Sequence, residues 1–393
     1  MTLFLAVLLP VLPGLQFVSP DPRTGASQAV VVDDLPLVHT AQVFAVDSSG
    51  KVSDQGDAQK QTMTALANLA SVLLRADSEP ALIVKLNVYL AHERYRDQVQ
   101  QSLASYFAAR EKPAVSYVVT SLPDEQALVA MDAVAVSRET EKSVKWYPGR
   151  PMNNLTNAGT ISAAALLPSG PKIYLSGMAD TNDLATATRI TLEKITNALG
   201  HLAVMKTDIV QLKAFLQPMK DVEMVKKEVV RFFGGAAPPV IFIEWISPAP
   251  NPPIEIEAIA AARGDFTKEA DSVTFLTPPG TTGSKVFSRV ARVNHGKGIY
   301  LSDLCGARGK NGEAQVKEIY QTLKQLTDKT GSDFEHLVKA TYFVSDDDAS
   351  NKLNELRPQY YNPQRPPAAS KANVKSIGLP GRTLSMDMIA VTR

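Results

Sequence analysis

The chain has 393 residues, 41 of them basic and 40 acidic, for a net charge of +1. That balance excludes the basic footprint with which proteins hold nucleic-acid phosphates, so no nucleic-acid partner is expected. Cys305 stands alone, which excludes an intrachain disulfide and a thiolate-only metal site, and His39, His92, His201, His295 and His336 are too scattered for a structural zinc.

Residues 1–21 begin with the apolar run MTLFLAVLLPVLPGLQ, too short and too Pro-broken to span a bilayer as a helix. The run is similar to a signal-peptide core, which gives export to the periplasm or beyond as the expectation. It lacks a preceding Lys or Arg and a small-x-small cleavage site, so a docked N-terminal extension on a cytoplasmic protein is the alternative.

From residue 22 to 140 the pattern gives strands over Ala29–Val32 and Pro36–Gln42, and a helix with apolar Met63, Leu66, Ala70 and Leu73. A strand over Ile83–Leu90, a helix carrying Val99, Leu103 and Phe107, and apolar runs at Ser116–Val119 and Leu128–Val134 follow. After a linker at 141–152 the same order returns over 153–264, with its central strand at Ile209–Leu216 and closing runs at Val240–Ile246 and Ile254–Ala260. A second linker, 265–280, is rich in Pro, Gly and Thr and leads to 281–393, whose central strand is Leu337–Val344 and whose second helix meets a breaker at Pro358. The three central strands recur at intervals of about 126 residues, so the chain is a tandem array of three β-β-α-β-α-β-β units. Helices and strands are mixed, which makes the class α+β. A sheet with helices on one face needs a partner for the other, and a tethered copy supplies it at high effective concentration.

Unit 1 carries Ser27-Gln28-Ala29-Val30, then Thr40-Ala41-Gln42, Gln61-Thr62, Asn68-Leu69, Pro113-Ala114-Val115-Ser116 and Leu122-Pro123. Unit 2 carries Tyr174-Leu175-Ser176-Gly177 and Ile254-Glu255-Ile256-Glu257-Ala258; unit 3 carries Tyr300-Leu301-Ser302, Gln315, Gly331, Asn354-Glu355, Leu379-Pro380 and Met386-Asp387. In this order the segments resemble the SQAV, SGQ, QT, NL, PARS, LP and IEIEA pattern of the RidA family of enamine/imine deaminases, also labelled L-PSP endoribonucleases. The resemblance implies a single-chain pseudo-trimer with sheets inward, helices outward and ligand clefts between units, working as a monomer.

The family's pocket pairs an Arg of PARS with a substrate carboxylate, a geometry suited to the planar guanidinium. By resemblance that place holds Val115, Val240 and Ala369, the last with a one-residue ambiguity. The family's water-positioning Glu falls at Ala130, at Glu255, and at Leu384 or Ser385, so unit 2 alone keeps the carboxylate. Glu255 is the candidate catalytic residue; on an alternating Ile-Glu-Ile-Glu strand it equally fits an interface edge. Ligand-binding candidates are Thr40, Ser176 and Ser302 at the SGQ serine, Phe287 at the aromatic place held by Ala26 and Ile161 elsewhere, Asn354 on the second helix against Gln100 and Lys226, and Lys371 as a substitute cation. Turn, cap and surface roles compete at each of them.

Two functions follow. One is a non-catalytic or altered-specificity relative, binding a small metabolite such as a carboxylate-bearing imine or serving as a scaffold. The other is a deaminase using Glu255 and a cation from a neighbouring unit. Endoribonuclease activity is the remote third, because the chain lacks a His-based acid/base pair. The loop GARGKNG, Gly306 to Gly312, lacks the first glycine and the Ser/Thr of a phosphate loop, and nothing points to a nucleotide, metal or organic cofactor. Asn154-Leu155-Thr156 matches a glycosylation sequon by chance.

Overall fold

The computed structural model describes residues 14–149, 160–246 and 252–393. Most of the apolar N-terminal run and the Asn154 sequon lie outside them. Among the described residues no helix is long and apolar enough to cross a membrane.

Each unit repeats one plan. A leader strand (Leu15–Asp21, Lys145–Tyr147, Val273–Leu276) precedes a first strand (Ala26–Val32, Ala164–Leu167, Val290–Val293) and a second (Leu37–Thr40, Lys172–Asp180, Gly298–Leu301). Helices α1 (Ala58–Leu74), α3 (Leu184–Gly200) and α5 (Gly312–Lys329) follow. All three start at an Asp or Asn whose side chain takes a backbone N–H three residues on: Asp57 from Lys60, Asp183 from Thr186 and Asn311 from Ala314. The third strands, Ile83–Leu90, Ile209–Leu216 and Leu337–Val344, match the periodic segments residue for residue. Helices α2 (Arg96–Tyr106), α4 (Val222–Phe233) and α6 (Asp347–Leu356) come next, α6 stopping just before Pro358. Fourth strands (Ala114–Val119, Val240–Glu244, Ala368–Asn373) and fifth strands (Val129–Val136, Ile254–Ala261, Leu384–Val391) close the units.

Within a unit the fifth strand lies antiparallel between the second and third, and the third pairs in parallel with the fourth. The first strand leaves its own unit. That of unit 2 pairs with the second strand of unit 1, that of unit 3 with the second strand of unit 2, and that of unit 1 with the second strand of unit 3. This cyclic exchange closes a three-unit ring. The stretches read as linkers supply the leader strands of units 2 and 3, each paired with its own first strand.

Three apolar clusters lie between sheet and helices, one per unit, and one face of every helix is buried in them. The inner faces of the sheets meet in further clusters, with Val30, Leu37, Val84, Val210, Ala261 and Tyr300 in one and Tyr89, Phe215 and Phe343 in another.

Charged side chains also reach the axis. Lys85 donates to Ser116 Oγ and the Leu301 carbonyl and pairs with Asp387 at 2.5 Å. Lys339 pairs with Glu257 at 2.5 Å, and Lys213 stands 3.6 Å from the same carboxylate. Three of these contacts, Lys85 to Asp387, Lys85 to the Leu301 carbonyl and Lys339 to Glu257, join different units. Glu257 and Asp387 thus meet three lysines, as removing ions from water requires, while Asp132 accepts from Asn87 and Tyr89.

Candidate functional site

The strand register settles the correspondence that the motifs left open. Val115 pairs with Leu86, Val240 with Leu212 and Ala369 with Ala340, three equivalent places on the third strands, so no unit has an Arg there. Ala130 pairs with Tyr89, Glu255 with Phe215 and Ser385 with Phe343, which assigns the third copy of the Glu place to Ser385. Each cleft lies between the second and fifth strands of one unit and the first strand, fourth strand and second helix of the next. Helix α1 adds to the wall of the cleft between units 1 and 2.

In the cleft between units 1 and 2, the Gln42 amide bonds both the N–H and the carbonyl of Phe242, at 3.1 and 3.0 Å. Beside this clip lies a cavity of about 400 Å³ lined by Val43, Phe44, Val72, Ile161, Val240 and Phe242. Asn68 is held by the Phe44 and Val46 carbonyls, and Arg75 and Lys226 are the cations of the wall. Lys226 Nζ stands 5.9 Å from the Phe242 ring centre. Thr40 is engaged on both sides: its hydroxyl accepts from Ala133 N–H and its carbonyl accepts from Gln211.

Between units 2 and 3, Glu255 packs so tightly on Gly177 that a Cβ there would lie 2.0 Å from its Oε1, which explains the glycine. Burial drives the Glu255 carboxyl up to about 7, against the hydrogen bond of Ser370, with Glu257 raising it and Lys339 and Arg289 lowering it. A carboxyl so tuned can give and take protons near neutrality. Arg289, immediately before the first strand of unit 3, donates Nη1 to Ser176 Oγ and the Gly177 carbonyl, and Nε and Nη2 to the Thr282 carbonyl. Its guanidinium stands 5.3 Å from the Phe287 ring centre. The structure therefore joins Ser176, Phe287 and Glu255 around a cation that the motifs did not reveal. The one signal was positional, since Arg289 replaces the Gln28 and Ala163 of the other units. Lys371 lies on the unit 3 wall and donates to Ser350 Oγ and Asn354 Oδ1, so it does not pair with Glu255.

The cleft between units 3 and 1 is filled by its own side chains. Ser302 Oγ accepts from Val115 N–H at 2.8 Å and donates to the Ser27 carbonyl at 2.5 Å. Arg96 lies over the Tyr117 ring at 3.9 Å and within 4.0 Å of Asp303, which also accepts from Cys305. Among the described residues no group of three or more His, Cys, Asp or Glu is placed to hold a metal ion.

The chain is 31% identical to protein DfrA of Myxococcus xanthus over 114 residues, 27% of this chain and 85% of that protein. Solved structures similar to it include the Rid-family protein YyfB of Yersinia pestis (23% identity, 31% of this chain and 98% of that one, TM-score 0.29) and yeast Mmf1 (22% identity, 32% and 99%, TM-score 0.25). The sequence matches the family described as Endoribonuclease L-PSP over residues 17–137 and 287–392, that is, through units 1 and 3. With more than half of its length matched, and the same strand plan repeated in the unit between, the chain belongs to the endoribonuclease L-PSP (RidA) family as three divergent tandem copies.

Proposed function

We propose that this chain is a small-molecule-binding member of its family, and that the cleft between units 1 and 2 takes an apolar molecule bearing an anionic group. The observation that carries this reading is the cavity of about 400 Å³ with Phe44, Phe242 and Val240 on its walls and Lys226 and Arg75 beside them. Its volume and lining are those of ligand pockets, mostly apolar with few polar groups to orient the guest. Val240 and Ala130 occupy the Arg and Glu places of this cleft, so it has no carboxylate to activate water.

Calorimetric titration with phenylpyruvate is the test. Binding is expected, with Lys226→Met weakening it about tenfold, as loss of one charged partner does. No measurable heat at millimolar ligand, or equal affinity in the variant, overturns the reading.

A second reading is favoured by Glu255, whose carboxyl is held at about 7 against Ser370 and Arg289. In it, the cleft between units 2 and 3 hydrolyses imines, with Glu255 taking the proton of the attacking water. An amino-acid oxidase generating the imine in the assay separates the two. The binding reading expects no acceleration; turnover that disappears in Glu255→Gln establishes the second reading.

A further inference from the structure

Unit 3 differs from its neighbours in the layer between its sheet and α6. Four residues after the buried Val99 of α2 comes Leu103, and four after Val225 of α4 comes Val229, all buried. Four residues after Leu353 of α6 comes Arg357 instead. A guanidinium thus stands where the other units place a core aliphatic. Its carbon lies 4.9 Å from the centre of the Tyr342 ring, and its Nε is buried without a hydrogen-bond partner.

The residue paired in register with Tyr342 is Lys371, where the other units carry Tyr117 and Phe242. Two cations therefore converge on one tyrosine. Lys371 is held by neutral partners only, Ser350 Oγ at 3.0 Å and Asn354 Oδ1 at 3.2 Å. Burial, and then the Arg357 charge, hold its ammonium below the usual range. No carboxylate among the described residues pairs with either group, whereas the fully buried Lys85 and Lys339 are each paired with one. Uncompensated like charges in a half-buried notch raise the free energy of the empty protein, and an anion between them lowers it.

We propose that Arg357 and Lys371, with Asn354 and Ser350, form a binding site in unit 3 for a small oxyanion. Alternating burial along Ala368–Asn373 puts Lys371 on the same strand face as Ala369. Unit 3 has therefore lost the family's Arg at one place and gained two cations beside it. Arg357 offers the planar fork, Lys371 the point charge and Tyr342 the ring on which the fork rests. The site is separate from the cleft between units 1 and 2 and does not rest on the reading of that cleft.

Thermal unfolding of the full chain in acetate, in inorganic phosphate and in chloride at matched ionic strength tests the site. A bound anion raises the midpoint by mass action, here by on the order of 2 °C or more over chloride. Acetate acting alone indicates a carboxylate ligand; phosphate acting alone indicates a tetrahedral one; either supports the site. Arg357→Leu installs the residue that unit 1 carries at this place, so it folds with a midpoint in chloride at or above the parent's, and the oxyanion increment disappears. Lys371→Met reduces the increment, whereas Lys324→Met, on the exposed face of α5, leaves it whole. Midpoints equal in all three salts, or an Arg357→Leu increment matching the parent's, overturn the proposal.

Discussion

Asp132 is the axial carboxylate that the lysines serve least directly. Its oxygens accept from the Tyr89 hydroxyl and from Asn87 Nδ2, and burial raises its pKa to about 6 although Lys213 opposes the shift. The folded chain then keeps a proton that the unfolded chain releases from about pH 4, so this group's contribution to stability falls as pH rises from about 4 to 6. The shift of about two units corresponds to roughly 3 kcal/mol lost by neutral pH. Asp132→Asn is expected to remove that dependence and to stabilise the protein at pH 7.5 by about 1–3 kcal/mol. Asn87 can turn its unpartnered Oδ1 toward the new amide. Urea unfolding at pH 4.5 and 7.5 checks this, and an unchanged difference between the two pH values would refute it. Neither the carboxylate nor the lysines near it were legible as a cluster, because sequence spacing does not show which side chains converge on an axis formed by three distant segments.

At the scale of elements, two of the three interfaces are clipped by a side chain that reaches the backbone of the next unit's fourth strand, Gln42 on Phe242 and Ser302 on Val115. In the third, the Gly177 N–H donates to the fourth-strand Ser370 Oγ. Ser302→Ala is expected to cost about 1–3 kcal/mol, since it leaves the Val115 N–H and the Ser27 carbonyl without partners in a buried joint. A change in urea midpoint at constant slope measures it; a loss under 0.5 kcal/mol would show that water replaces the hydroxyl. The third strands were readable to the residue because both faces are buried and the apolar runs are long. The leader strands were hidden in apparent linkers: Lys145–Tyr147 and Val273–Leu276 have three and four residues, and pairing rather than propensity makes them strands. The motif puts the SGQ place one residue early in unit 1: Thr40 pairs with Ala164 as Leu175 pairs with Val290 and Leu301 with Ala29, so Ala41 stands at the place of Ser176 and Ser302. Thr40 and Ser302 spend their hydroxyls on backbone groups, which a motif cannot show.

At the scale of the whole molecule, three copies that began with one plan now enclose different clefts. One holds a cavity, one a buried carboxyl beside an arginine, and one an internal cation and acid. Identical subunits cannot diverge in this way, because each substitution would appear in every cleft at once. The ring was legible from the repeat and from the uncovered sheet face. The direction of strand exchange was not, because a first strand such as Ala164–Leu167 is equally apolar against its own unit or its neighbour.

Because every unit finishes the sheet of the one before it, the ring has no privileged starting point. Leu15 pairs with Val32, Val32 with Gly298 and Gly298 with Val391, so three strand spacings, about 14 Å, separate the two ends of the described fold. A circularly permuted gene encoding the units in the order two, three, one, with a short Gly-Ser bridge across that gap, should yield the same fold with its thermal midpoint within a few degrees of the parent. Insoluble or multimeric product would show that the order of synthesis, and not only the closed circuit of strands, is written into this chain.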